Sequence, residues 1–306
     1  PTPAVGAGEV LVNVRAAGVN RADLLQRAGK YPPPAGASDI LGLEVSGVVE
    51  SVGAEVSTWS RGDEVCALLS GGGYAEKVCV PAGQVMRKPP GVSLQDAAAI
   101  PEAFLTAYTN LVVEGGLSRG EKVLIHGGAS GVGTAAIQLA RACGADVACT
   151  VGDHSKFTRC CELGASAVFN YKEGPFTDGV LKWSPQGVEV VLDIVGREYL
   201  EQNLKVLAQK GRMLCIATMS GSRAEVDLAL LMRKRLRIIG SVLRSRTSEE
   251  KSALVSGFAG SFLPLFESNV LKPVIHATFS FAEVAKAHEL MRSSTHVGKI
   301  LLEWRS

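Results

Sequence analysis

The stretch Val123-Leu124-Ile125-His126-Gly127-Gly128-Ala129-Ser130-Gly131-Val132-Gly133-Thr134-Ala135-Ala136 runs from an apolar strand through glycines into a helix-forming segment. That order marks a dinucleotide-binding turn. Gly131, Gly133 and Ala136 take the three small positions of the fingerprint. One serves the tight turn, one lets backbone approach a pyrophosphate, and one allows close helix–strand contact. The following helix aims its free N–H groups and positive dipole end at phosphates. Glycine-rich turns are common and most bind nothing; strand, turn and helix in this order give this one its meaning.

Outward from the turn, strand-like runs lie at 122–126, 146–150, 167–169, 189–194, 212–217 and 237–242. Helical segments at 134–143, 156–163 and 199–208 fall between them, with Gly144, Gly164 and Gly211 as stops. Six strands with crossovers make a doubly wound parallel sheet of Rossmann type, so the fold class is α/β. The first hundred residues differ in texture. Residues 9–15 alternate polar and apolar, 45–52 are rich in β-branched side chains, and the turns Arg61-Gly62-Asp63 and Gly71-Gly72-Gly73 separate short strands. This predicts an antiparallel, barrel-like β domain. After about Arg246 come helical stretches at 253–266 and 282–291 and a last strand at 298–303. That strand needs partners, so the tail is expected to return to the first domain. The expected domains are 1–104, 105–246 and the returning segment 247–306.

Composition narrows the function. A chain of 306 residues has room for two domains and a sizeable core. With 32 basic and 30 acidic side chains, no charge excess points to nucleic acid or an anionic membrane surface, so the partner is a small molecule. Seven cysteines form no Cys-x-x-Cys pair, and Cys160 and Cys161 are adjacent, which suits a reduced, cytoplasmic setting better than a disulfide framework. No apolar run approaches the ~18 residues of a membrane span. The sequence begins at Pro1 without methionine, so a targeting segment removed ahead of this numbering stays open.

Several separated motifs then carry a family resemblance. They are Asn20-Arg21-Ala22-Asp23 with Gln26-Arg27 and Gly29, Tyr31-Pro32-Pro33-Pro34, Leu41-Gly42-Leu43-Glu44, Ala98-Ala99-Ile100-Pro101, the glycine turn, and Gly298-Lys299-Ile300. Together they resemble the zinc-free, ζ-crystallin-like quinone oxidoreductases of the medium-chain dehydrogenase/reductase superfamily. Residues 20–43 are most similar to the p53-inducible quinone oxidoreductase subgroup. The resemblance implies a GroES-like β-barrel catalytic domain beside the Rossmann domain, with N-terminal strands ahead of this sequence's first residue. It also implies a homodimer formed through the sixth strand of the cofactor domain, and the β-branched run at 237–242 suits such an edge.

In alcohol dehydrogenases of that superfamily a zinc ion polarises the substrate, and catalytic zinc needs three N, S or O ligands. Where those enzymes resemble this chain, Asn20 holds the cysteine position and Leu43 the histidine position. Leucine cannot ligate a metal, so no zinc and no alcohol oxidation are expected. What remains is hydride transfer to an acceptor that is already electrophilic: a quinone or a conjugated enone. By resemblance, Asn20 and Tyr31 stand beside nicotinamide and substrate as the catalytic pair. The local sequence equally allows Tyr31 to be a turn residue packed on its prolines. Two other functions stay open: an alkene reductase acting on 2-alkenals or enoyl thioesters, and a non-catalytic, crystallin-like NADPH-binding protein.

An acidic residue about 20 positions past the turn would accept the ribose hydroxyls of NAD. Counting from Gly131 reaches Val151, followed by Gly152. In the resembling NADPH enzymes a matching lysine and tyrosine, here Lys156 and Tyr171, contact the 2′-phosphate, and the glycine leaves room for it. NADPH is therefore the expected cofactor, with Asp153 as the discordant detail. Ser130 reads as a phosphate, turn or substrate-side hydroxyl, or as a plain turn serine. Thr218 and the trio Ser241, Val242 and Leu243 follow the fifth and sixth strands at the carboxyl edge. Ala217 stands where the family commonly has glycine. The resemblance adds Val132, Gly298 and Lys299 to the cofactor contacts. His126, beside the turn, is assigned no catalysis, and the basic run Arg233-Lys234-Arg235 reads as a solvated connection.

Overall fold

The computed structural model describes residues 2–304; Pro1, Arg305 and Ser306 lie outside the described residues. The chain divides into two units: unit 1 is Pro1–Leu105 with Leu243–Ser306, and unit 2 is Thr106–Val242. In unit 1 the first segment supplies β1 (Glu9–Val19), β2 (Glu44–Val52), β3 (Glu64–Leu68), β4 (Lys77–Pro81) and β5 (Val85–Arg87). Unit 2 holds β6 (Lys122–His126), β7 (Asp146–Val151), β8 (Ala167–Asn170), β9 (Val188–Asp193), β10 (Leu207–Cys215) and β11 (Arg237–Gly240). The tail adds β12 (Ile275–Ser280) and β13 (Lys299–Glu303).

The sheet of unit 1 runs β12-β13-β1-β2-β3-β5, with β4 also paired to β1. β2 lies along one edge of β1, while β4 takes residues 9–13 of the other edge and β13 takes 16–19. The tail thus completes the first sheet. Alternation at 9–15 predicts a half-buried strand, yet β1 continues to Val19 and buries both faces. A bulge between Val14 and Ala16 reverses the side-chain parity, so Ala17 and Val19 join the core of Val10, Val12 and Val14. Ala16 turns to a second cluster with Ala98, Ala99 and Leu301.

In unit 2 the order is β11-β10-β9-β6-β7-β8, every pair parallel. Strand order reverses at β6 and β9, and the carboxyl ends there are where doubly wound sheets receive ligands. Val123, Leu124, Ile125, Val147, Ala148 and Cys149 are all fully buried, as strands covered on both faces require.

Local differences from the sequence reading have packing causes. The helix expected over 199–208 is Leu200–Val206, and Leu207 already opens β10. Leu207 is fully buried and paired to Val188, which outweighs its helix propensity. The helix that follows the third strand of this sheet is Phe176–Trp183, which buries Phe176 and Val180. In the tail the helix begins at Ser248, earlier than residue 253, because Thr247 and Glu250 form a capping box.

Candidate functional site

In unit 2 the turn after β6 is built by steric exclusion. Gly127 sits at φ +67, and a Cβ on Gly133 would stand 2.2 Å from the Gly127 carbonyl oxygen. A Cβ on Gly128 would stand 2.5 Å from Cys149 Sγ. Close approach therefore depends on Gly127, Gly128 and Gly133, of which the sequence fingerprint named only the last. Ser130 caps the helix Gly131–Ala142, its Oγ accepting the Gly133 N–H at 3.0 Å. Of its open readings, this is the turn role. Gly131 and Val132 form the first, half-buried turn of that helix.

At the end of β7 the structure brings Gly152 and Tyr171 together. A Cβ on Gly152 would lie 2.4 Å from the Tyr171 hydroxyl, so the phenol crosses the glycine. Asp153 Oδ1 accepts the Ser155 N–H at 2.8 Å, and the Ser155 hydroxyl and N–H hold that carboxyl below its ordinary range. Lys156 and Lys172 flank it electrostatically. The discordant carboxylate is thus engaged as a turn cap between two cations. Burial pulls the half-buried Lys156 ammonium down, opposed by Asp153.

The other carboxyl ends are also polar. Asp193 is buried and accepts the N–H groups of Val195 and Gly196 at 2.9 and 3.0 Å; desolvation pushes its carboxyl up to about 6. Thr218 is exposed beyond β10 and lies against Gly196. Ser241 donates its N–H to the Cys215 carbonyl, while its buried Oγ has no partner among the described residues. A buried hydroxyl without a partner at this edge fits a polar ligand group there. Val242 is exposed, whereas Leu243 is buried and belongs to unit 1. His126 is buried between Thr150 Oγ1 and Asn203 Oδ1 at 3.0 and 2.7 Å. Burial pulls its imidazole down to about 4, so it stays neutral at pH 7.

Unit 1 contains a buried polar cluster around Asn20. The Asn20 amide nitrogen donates to Glu44 Oε1 at 3.0 Å and to the Gly18 carbonyl at 3.3 Å, while Oδ1 accepts from Lys299 Nζ at 2.7 Å. Lys299 also donates to the Val19 carbonyl and pairs with Glu44, with side-chain exposures of 4% and 0%. Glu44 Oε2 accepts the Glu102 N–H at 2.8 Å. The sequence reading places Gly298 and Lys299 on the cofactor; in the structure both are held by contacts within unit 1. Pairing of β13 with β1 sets Ile300 opposite Val19, which seats the Lys299 ammonium among three acceptors inside unit 1. A Cβ on Gly298 would lie 2.2 Å from the Val274 carbonyl, and its φ is +83. Asp23 fixes the adjacent loops, accepting from Asn20 N–H at 2.7 Å, Gly42 N–H at 3.0 Å and the Tyr74 hydroxyl at 3.2 Å. Desolvation pushes Asp23 up to about 6, and burial with Glu44 nearby pushes Glu102 up to about 8.

Tyr31 is half-buried, and its hydroxyl makes no hydrogen bond among the described residues. Burial and then Glu102 push its phenol up, opposed by Arg244, whose guanidinium lies 5.1 Å from the ring centroid. Glu44, Glu102 and Arg244 escaped the sequence reading. Glu44 sits within a quoted motif, but nothing local marks a glutamate there as buried, and Arg244 lies in a stretch that reads as a boundary. Among the described residues no three His, Cys, Asp or Glu side chains are grouped so as to hold a metal ion.

Comparison with known proteins agrees with this geometry. Residues 6–90 match the family model "Alcohol dehydrogenase GroES-like domain", and residues 131–258 match "Zinc-binding dehydrogenase". A quinone oxidoreductase from Lama guanicoe is 34% identical, the match covering 96% of this chain and 88% of the relative. The structure of Escherichia coli quinone oxidoreductase complexed with NADPH superposes with a TM-score of 0.87 at 30% identity, covering 99% of this chain and 94% of that one. CurK enoyl reductase gives a TM-score of 0.86 at 29% identity, covering 100% and 93%.

Proposed function

We propose that this chain, which belongs to the zinc-free quinone oxidoreductase family of the medium-chain dehydrogenase/reductase superfamily, reduces a quinone to a hydroquinone with NADPH. The observation that carries the reading is the cluster around Asn20: a carboxamide gripped by Lys299 and Glu44, with Leu43 beside Glu44 in the chain, offers no ligand set for a Lewis acid. Without one no metal stabilises an alkoxide, which favours an acceptor that is itself electrophilic. When bound, the dinucleotide supplies a hydride, and a proton from water or a nearby hydroxyl completes the two-electron reduction.

The protein's own residues bind and align. Gly127, Gly128 and Gly133 let the turn close on the pyrophosphate, and Ser130 holds the helix end that faces it. Gly152, Lys156 and Tyr171 select the 2′-phosphate, with the Asp153 charge offset by Lys156 and Lys172. Thr218, Ser241 and Val242 complete the nucleotide contacts at the carboxyl edge. Tyr31 presents its ring and hydroxyl to the acceptor, and Asn20 shapes the surface beside it. Tyr31→Phe separates hydroxyl from ring: unchanged turnover removes the acid role and leaves alignment.

Two copies are proposed to pair through β11, an edge strand with Ile238 exposed and with Leu228, Met232 and Val242 exposed nearby in the chain. A monomeric mass by light scattering at micromolar concentration contradicts the pairing. The setting proposed is cytoplasmic, in keeping with seven free cysteines; no helix among the described residues is long and apolar enough to cross a membrane.

An alkene reductase is the second reading, favoured by the structural likeness to CurK enoyl reductase. NADPH consumption with an ortho-quinone, a para-quinone and a 2-alkenal side by side decides between them. Quinone-dependent turnover with negligible alkenal activity supports the first. The reverse supports the second, and NADPH binding without turnover supports a non-catalytic, crystallin-like role.

A further inference from the structure

Two carboxylic acids of unit 1 share one buried cation. Glu44 is fully buried and takes Lys299 as its ion-pair partner. Its Oε1 also accepts from the Asn20 amide, and its Oε2 accepts the Glu102 N–H at 2.8 Å, so the second acid is fixed beside the first. Glu102 lies in the first turn of the helix Pro101–Tyr108, which Phe104 anchors by packing edge-on against Phe266 with ring centroids 5.0 Å apart. Glu102 is half-buried, and among the described residues its carboxyl has neither a hydrogen-bond donor nor a salt-bridge partner. The charged groups that face it are Glu44 of β2, Asp23 of the helix Arg21–Arg27, Lys299 of β13 and Lys251 of the helix Ser248–Ser261, and the Tyr31 phenol feels its charge. Lys299 is committed to Glu44, and Lys251 donates to Ser70 Oγ at 2.6 Å, so neither cation is in contact with the second carboxyl. Two acids in one partly desolvated site leave one ionised and the other protonated. Burial and then Glu44 push Glu102 up to about 8, with Lys299 opposing, so Glu102 is the one that keeps its proton at pH 7.

We propose that Glu102 is the catalytic acid of the acceptor site: its carboxyl O–H gives the proton to the acceptor oxygen in the reduction that Asn20 and Tyr31 frame. The inference rests on the quinone reductase reading and deepens it by naming the proton source. In the balanced step the quinone gains a hydride from the dinucleotide and a proton from Glu102. The carboxyl O–H bond breaks with its electron pair left on Glu102, an O–H bond forms on the hydroquinone, and water reprotonates the carboxylate before the next turnover. Tyr31 is the weaker acid of the two, because burial and Glu102 itself push its phenol further up from an ordinary value of ~10. An acid that titrates close to the working pH both holds its proton and releases it readily.

The test reads the proton directly and then the reaction. Difference infrared spectroscopy of the protein without substrate should show a protonated-carboxyl carbonyl band that is lost with a midpoint at about 8, and Glu102→Gln should lack that band. With an ortho-quinone, wild-type kcat/KM is expected to be level below that pH and to fall above it, since the donor must be protonated. Glu102→Gln should lower kcat about 100-fold or more at neutral pH and remove the fall, while NADPH affinity by fluorescence titration changes less than about twofold. Glu102→Asp, which keeps an acid on a shorter stem, should keep the fall and recover part of the rate. Tyr31→Phe leaves Glu102 and its contacts in place and should also keep the fall, which judges the inference even where Glu102→Gln fails to fold. No carboxyl titrating near that midpoint, wild-type turnover in Glu102→Gln, a fall that persists in Glu102→Gln or one that vanishes in Tyr31→Phe overturns the inference while leaving quinone reduction standing. A wild-type protein that reduces no quinone overturns both.

Discussion

Replacing Lys299 by methionine keeps the buried stem and removes the ammonium, so it isolates what the cation does. Its partners are the Val19 carbonyl, Asn20 Oδ1 and the Glu44 carboxylate, and Glu44 is fully buried. After substitution Glu44 keeps only the Asn20 amide and the Glu102 N–H as donors. A buried charge stripped of its counter-ion costs about 3–5 kcal/mol, far more than an exposed pair. For a unit of this size about 1 kcal/mol corresponds to roughly 2–4 °C, so unit 1 should melt about 10 °C lower. Trp59 and Trp304 lie in unit 1 and Trp183 in unit 2, so fluorescence melting in a Trp183→Phe background reports the unit concerned. The double variant Glu44→Gln/Lys299→Met has no unpaired charge and should recover at least half of the loss. A shift under about 2 °C for Lys299→Met, or a double variant that sums the two single losses, refutes the reasoning.

Gly133→Ala forces a Cβ to within 2.2 Å of a backbone oxygen, which cannot yield without opening the turn; NADPH affinity should fall at least about tenfold by titration. Lys156→Ala should weaken NADPH by about tenfold or more, on the ~1.5–3 kcal/mol of a charged hydrogen bond, while leaving NADH kinetics unchanged; equal loss with both cofactors contradicts the assignment. His126 has a folded pKa of about 4, below its unfolded value of ~6.5, so the unfolded chain binds the proton more tightly. Its contribution is fully present above ~6.5 and is lost as pH falls toward 4, amounting to about 3 kcal/mol. Chemical denaturation of unit 2 across that window should show an acid limb that His126→Gln flattens.

The centre of the parallel sheet was legible because β6, β7 and β9 are mostly apolar runs with glycine close at their carboxyl ends, and the carboxyl-end turn follows directly from strand order. Motifs drew attention to Asn20, Gly152 and Tyr171, and the structure sets Asn20 in a polar cluster and Gly152 against Tyr171. The partners of Lys299 were not legible, because Val19, Asn20 and Glu44 lie more than 250 positions away and only the β1–β13 register reveals that Ile300 faces Val19. Arg244 gave no signal at all: it is buried against Ser70, Gln26 and Tyr31, all distant in the chain. Leu207 shows the same limit within the fold, since burial beside β9 turned a helical stretch into strand.

Reduction of an electrophilic acceptor without a Lewis acid is decided by ortho-quinone turnover before and after dialysis against a strong chelator, with metal measured in the same samples. The full rate of NADPH consumption is expected from protein carrying far less than one metal ion per chain. A rate that falls with chelation and returns on adding zinc contradicts it.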